Sequence, residues 1–162
     1  MIIQVNKLTN RSLLDIACSF TAGKDVAIKD LKKFYKSEHS PIRTQIFEVF
    51  MYEIPTFASV HFTRHKVGVE HFVTSNRDKD KIDRETPVNH MMVLNAQSLI
   101  SMARKRLCRK ADPKVVNIMR AIVNGVHQVD KQLSECMVAD CLYRGQCYEI
   151  VRCTKENKDE DK

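Results

Sequence analysis

The sequence predicts a single α/β domain with a central sheet flanked by helices, and three observations point there. Its 162 residues can enclose one core but not two. Short runs rich in Val, Ile, Phe and Tyr alternate with longer stretches of helical periodicity. A hydrophobic fraction of 43% against 29% charged is that of an ordinary globular protein. No apolar run approaches the ~20 residues that cross a bilayer, so no membrane span is expected. Met1-Ile2-Ile3-Gln4-Val5 lacks the length and flanks of a signal peptide, and the expected location is cytoplasmic.

Met1 to Val5 reads as a short edge strand. Ser12 to Phe20 follows, with Leu13, Leu14, Ile16, Ala17 and Phe20 at helical spacing behind an Asn10 or Ser12 cap. After Gly23, Val26, Ile28, Leu31 and Phe34 repeat that pattern and predict a second helix over Asp25 to Tyr35, ended by the turn Ser37-Glu38-His39-Ser40-Pro41. Ile46 to Ile54 is apolar on both faces and predicts a buried central strand. Pro55 suits the first turn of a helix running to about Arg64. Val69 to Ser75 predicts another strand, and the charge-dense Asn76 to Glu85 a solvated loop that is mobile unless a ligand orders it. Met91, Leu94, Leu99, Ile100, Met102, Ala103 and Leu107 predict one long helix over His90 to Lys110. Asp112 as N-cap and Pro113 at the first helical position begin another, to about Val129. The domain is expected to fill residues 1–153, with a charged, disordered tail over 154–162.

A net charge of +7 favours polyanionic partners and suits nucleotides and nucleic acid equally. Six cysteines without a secretion signal read as reduced thiols or metal ligands rather than disulfides. Cys136, Cys141, Cys147 and Cys153 are enough in number for tetrahedral zinc, but their spacing matches no Cys-x-x-Cys knuckle. The expectation is therefore no metal, with zinc as the minor alternative.

Four short motifs carry a resemblance. Tyr52-Glu53-Ile54-Pro55-Thr56-Phe57-Ala58-Ser59-Val60-His61-Phe62-Thr63-Arg64-His65-Lys66 is similar to the segment of flavin-dependent thymidylate synthases that leads into an Arg-His-Arg signature, here with lysine third. Ser75-Asn76-Arg77-Asp78 resembles the Ser-x-Arg-Tyr that follows, with Asp78 for the tyrosine and Val73 where that family has an acidic residue. Asn95-Ala96-Gln97, Arg106-Leu107 and Ala111-Asp112 look like its Asn-Ala-Arg helix, the Leu-Arg-Leu at its end and an Ala-Gln pair. His39-Ser40-Pro41 resembles its His-x-Pro element. The matches keep their order from His39 to about Met119, and the chain is identified as a shortened, divergent member of that superfamily. The charged run from Asp78 to Asn89 stands where the family usually has an additional helical segment. Cys141 to Cys147 also resembles the C-terminal end of some members.

This resemblance implies a mainly antiparallel sheet and FAD-dependent methylation of dUMP to dTMP, or a closely related C5 modification of a pyrimidine nucleotide. Methylenetetrahydrofolate would supply the carbon and NADPH the reducing power, with Cys108 a bystander. Arg106 would act catalytically, lying against the uracil and favouring its ionised form by charge-assisted hydrogen bonding. Ser75 and Arg77 would hold the phosphate, with His61, Arg64 and Arg84 as further nucleotide contacts. Arg64, His65 and Lys66 would meet the flavin, together with Ser40, Asn95 and Gln97. A homotetramer is implied. The alternative is a non-catalytic homologue acting as a basic nucleotide- or nucleic-acid-binding protein.

Overall fold

The computed structural model describes residues 1–77 and 81–153, so the expected tail and three positions of the charged loop lie outside the described residues. Strands β1 (Ile2–Lys7), β2 (Ile46–Pro55), β3 (Val69–Val73) and β4 (Pro87–Asn95) form one antiparallel sheet in the order β1-β2-β4-β3. Helices α1 (Arg11–Ala22), α2 (Leu31–Ser37), α3 (Thr56–Thr63), α4 (Ala96–Arg106), α5 (Pro113–Val129), α6 (Lys131–Ser134) and α7 (Asp140–Arg144) surround it, with a 3-10 turn at Ser40–Thr44.

The two faces of the sheet differ. Val5, Phe47, Val49, Met51, Met92 and Leu94 point inward and pack with Phe62 of α3, Leu99 and Met102 of α4, and Ile118, Ile122 and Val126 of α5. Gly125 lets α5 approach β1, since a Cβ there would stand 2.5 Å from a Val5 methyl. On the other face Phe50 and Phe72 both pair across from Met91, and Ile2 pairs with Tyr52. Ile2, Tyr52 and Phe72 are exposed there, so β2 is fully buried on one face, not on both as its composition suggests.

Four other expectations are corrected. The helix expected from His90 is a strand as far as Asn95 and a helix only from Ala96. Val88, His90, Met92 and Leu94 alternate inward with the period of two that defines a strand. Asn95 stays extended and its side chain accepts from the Ser98 amide, which makes it the N-cap. The second helix begins at Leu31 rather than Asp25, because the Asp30 carboxylate caps it by accepting from the Lys33 amide. The Val26 amide instead donates to the Ser19 hydroxyl. Pro55 sits just ahead of α3 rather than inside its first turn, and β3 ends at Val73, before Ser75. The helix from Pro113 to Val129 has the expected bounds.

Candidate functional site

Arg106 ends α4, the helix that follows directly from β4. Its Nε donates to His65 Nε2 at 3.0 Å, and Nη1 lies 3.4 Å from His61 Nδ1. His61 comes from α3, with its ring edge-on to Phe57. His65 comes from the strap of residues 64–68 that joins α3 to β3. An arginine only donates, so both imidazoles must accept and be neutral on those nitrogens. Burial, then the Arg106 charge, push His65 down to about 4, and the same two causes lower His61. Arg106 is itself lowered by burial and by the neighbouring Arg64. Among the described residues no carboxylate forms an ion pair with Arg106, so its charge faces neutral rings and a like charge.

Beneath the strap lies a chain of side chains that the sequence did not single out. Ser59 Oγ is 3.0 Å from His90 Nδ1, His90 Nε2 is 2.9 Å from His71 Nδ1, and His71 Nε2 is 2.8 Å from the His65 carbonyl. Ser59 is 3% exposed and His90 1%, depths at which polar atoms need partners. The strap is also tied at its far end. Ser98 Oγ donates to the Val67 carbonyl at 2.8 Å, and Gly68 (φ +67°) leaves no room for a Cβ, which would meet Asn95 Nδ2 at 2.4 Å.

The other residues expected at the site divide into groups. Arg84 lies with the cluster: its guanidinium stacks 4.6 Å from the Phe57 ring, its carbonyl accepts from the Phe57 amide at 3.0 Å, and its charge is felt at His61. Arg64 and Lys66 are exposed on the strap. Ser75 and Arg77 are exposed beyond the end of β3, where the Arg77 amide donates to Ser75 Oγ at 3.3 Å, and among the described residues no hydrogen bond joins them to Arg106 or its histidines. Asn95 shares the strap side of α4 with Arg106, its Oδ1 engaged in capping. Gln97 is on the opposite side at 3.6 residues per turn, where Nε2 donates to Glu38 Oε2 at 2.5 Å. Ser40 is exposed in the 3-10 turn that follows Glu38.

A cavity of about 730 Å³ lies elsewhere, lined by Cys108, Arg120, Met137 and three of the candidate zinc cysteines, Cys141, Cys147 and Cys153, among others, and none of the residues expected to meet nucleotide or flavin borders it. Cys136 is not part of that lining; it is buried, with Sγ donating to the Lys32 and Gln132 carbonyls. Among the described residues no cluster of His, Cys, Asp or Glu has an arrangement that could hold a metal ion. No described helix is long and apolar enough to cross a membrane.

Fold and site together describe a basic α/β domain whose antiparallel sheet feeds one helix into a cationic cluster. That architecture has close counterparts among solved structures. Thymidylate synthase X from Helicobacter pylori with FAD and dUMP is similar with TM-scores of 0.68 and 0.72 in two structures, at 12% identity. The matches cover 84% and 85% of this chain and 99% and 100% of those. The UMP/dUMP methylase PolB from Streptomyces cacaoi, bound with 5-Br dUMP, gives a TM-score of 0.66 at 11% identity, covering 85% of this chain and 97% of that one. The chain thus has the flavin-dependent thymidylate synthase fold. No protein-family model matches the sequence, and no curated protein matches it significantly.

Proposed function

We propose that the protein binds dUMP or a related pyrimidine nucleotide against Arg106 and modifies the base at C5, in the leading case methylating dUMP to dTMP. The observation that carries this reading is the uncompensated Arg106, clamped by His61 and His65 beside Arg64. A guanidinium oriented by neutral acceptors keeps its full charge for an anion, and an ionised uracil is one. Arg84 adds a second positive charge on the same side of α3. The fold likeness supports the reading, since the similar structures carry dUMP or its bromo analogue.

FAD is the proposed cofactor, with NADPH and methylenetetrahydrofolate as co-substrates. The exposed cations Arg64 and Lys66, on a strap pinned at both ends, fit the diphosphate of such a group and would hold it. When bound, the flavin would supply the hydride. Ser40 and Gln97 lie off that side of α4. Ser75 and Arg77 are proposed to hold the phosphate of a nucleotide in a homo-oligomer. The exposed apolar sheet face around Phe72 and Tyr52 supports such an assembly. The soluble compartment proposed is the cytoplasm.

The test is spectroscopic. Purified protein is expected to show, or gain with FAD, a flavin absorbance that NADPH bleaches and dUMP perturbs, and to form dTMP. The placement of Gln97 against Glu38, away from the strap, favours a second reading in which the scaffold is a basic nucleotide- or nucleic-acid-binding protein. Protein that takes up no flavin, yet binds DNA with a steep inverse dependence on salt, would establish that one instead.

A further inference from the structure

Sheet register brings His71 and His90 together, although nothing in the proposed chemistry requires them. His71 pairs across from Met92, and His90 lies two residues from Met92 along β4, on the same inward face. Two imidazoles inside a core are costly unless every ring nitrogen is satisfied. Here every one is, and the acceptors fix the direction. The His65 carbonyl can only accept, so His71 carries its hydrogen on Nε2. In the neutral ring Nδ1 then accepts, so His90 donates from Nε2. His90 Nδ1 is left to accept, and Ser59 donates to it. One arrangement of hydrogens satisfies the whole series with no buried charge. Burial first, and then the repulsion a protonated His71 would exert, push His90 down to about 4, which keeps it neutral at ordinary pH.

We propose that Ser59, His90 and His71 are positioning residues: a buried, one-way chain of hydrogen bonds that anchors the strap at the His65 carbonyl and so sets His65, and through it Arg106, toward the nucleotide. An apolar trio of similar volume would fill the same space, but it would leave the His65 carbonyl unheld, with the strap tied at Val67 and Gly68 and through the His65 amide and ring. Holding the carbonyl fixes the residue whose imidazole receives Arg106 Nε–H. The inference rests on the nucleotide reading only for its consequence in binding; the arrangement of protons is testable without it.

The experiment uses the full chain labelled with ¹⁵N. Histidine side-chain spectra near pH 7.5 are expected to show both His71 and His90 protonated on Nε2 alone. His71 found as the Nδ1–H form would overturn the proposal. His71→Leu is expected to speed exchange of the His65 amide, which donates to the Phe62 carbonyl, at least tenfold, to shift the Arg106 Nε–H signal and to weaken dUMP binding about tenfold. His71→Gln, which keeps a donor for the His65 carbonyl, should restore both the exchange protection and the binding to within about threefold. Should His71→Leu not fold, Ser59→Ala, a small change that leaves the packing in place, should shift the His90 Nδ1 signal, which loses its donor, while both rings stay protonated on Nε2 because the His65 carbonyl sets the direction. Unchanged strap exchange and an unmoved Arg106 signal in the Leu variant, or His71 moved to the Nδ1–H form in Ser59→Ala, would sink the idea. Wild-type protein with the expected tautomers but no affinity for dUMP would refute the nucleotide reading and leave the chain's structural assignment standing.

Discussion

Arg104 and Arg106 stand two residues apart on the same helix and have opposite electrostatic surroundings. Arg104 meets the Glu38 carboxylate, which also takes the Gln97 amide, and its guanidinium lies 3.6 Å from the centre of the Tyr143 ring. Arg106, turned by two residues onto another face, meets two neutral imidazoles and has Arg64 for a neighbour. A carboxylate compensates the first charge and makes it a structural tie among α4, the segment after α2, and α7. The second is oriented without being compensated, which is how a site keeps a cation for a ligand. Composition and helical periodicity treat these two arginines alike; only their partners separate them.

The largest expected effect falls on Arg106. Arg106→Ala should reduce dTMP formation by at least about 100-fold, the scale of losing one charged donor at a reacting centre. Its melting temperature should barely move. Turnover that survives the change would break the comparison at its functional end.

Acid should act on the Arg106 side through its histidines. His65 and His90 are both depressed from 6.5 to about 4, chiefly by burial, with Arg106 the next cause at His65 and His71 at His90. The folded state therefore prefers both rings neutral. That preference contributes stability above the unfolded value near 6.5, and it is lost as pH falls toward 4. For the deeply buried His90 the loss is about 3 kcal/mol at most, at 1.36 kcal/mol per pKa unit. Urea unfolding at pH 7.5, 5.5 and 4.5 would measure it, and a flat profile would mean that these rings are not held neutral.

Arg104→Ala is expected to behave in the reverse manner from Arg106→Ala. It leaves a partly buried Glu38 carboxylate with the Gln97 amide but no cation, and should cost about 2 kcal/mol of stability, below the range for fully buried pairs because solvent reaches this one. Turnover per folded molecule should persist. Thermal melts alongside activity assays on the two variants would show whether the faces of α4 divide the work as their partners indicate.

The unequal legibility of these regions has a physical cause. Asp112-Pro113 announces the start of α5 because a capping carboxylate and a proline at the first position are local signals, and the structure has the helix there. β4 lacked such punctuation. Met91, Leu94, Leu99 and Met102 satisfy helical spacing across a junction where an inward-alternating strand turns directly into a helix, so strand and helix fused into one reading. The usable signal was Asn95 three residues before Ser98, a side-chain cap. Arg106, His61 and His65 could be named through the resemblance to the synthase motifs, and the structure brings them together. Ser59, His71 and His90 could not, because their connection depends on the register between β3 and β4, and His90 falls in a stretch whose spacing predicts a helix. Glu38 was equally invisible: it joins Gln97 across 59 residues of sequence.

Gln97 offers the finest test of the division. The resemblance to the synthases implies a flavin contact for it, whereas its side chain donates to Glu38 on the Arg104 side of α4. Gln97→Ala removes one hydrogen bond to a carboxylate that keeps Arg104 as a partner, so the expected cost is small, about 1 kcal/mol. If the residue belongs with Arg104 alone, that loss in chemical unfolding is the whole effect, and FAD affinity measured by quenching of flavin fluorescence stays within about twofold. A tenfold weakening of FAD binding would instead show that the Glu38 contact yields to the cofactor, and that the two faces of this helix are drawn into one site when the protein is loaded.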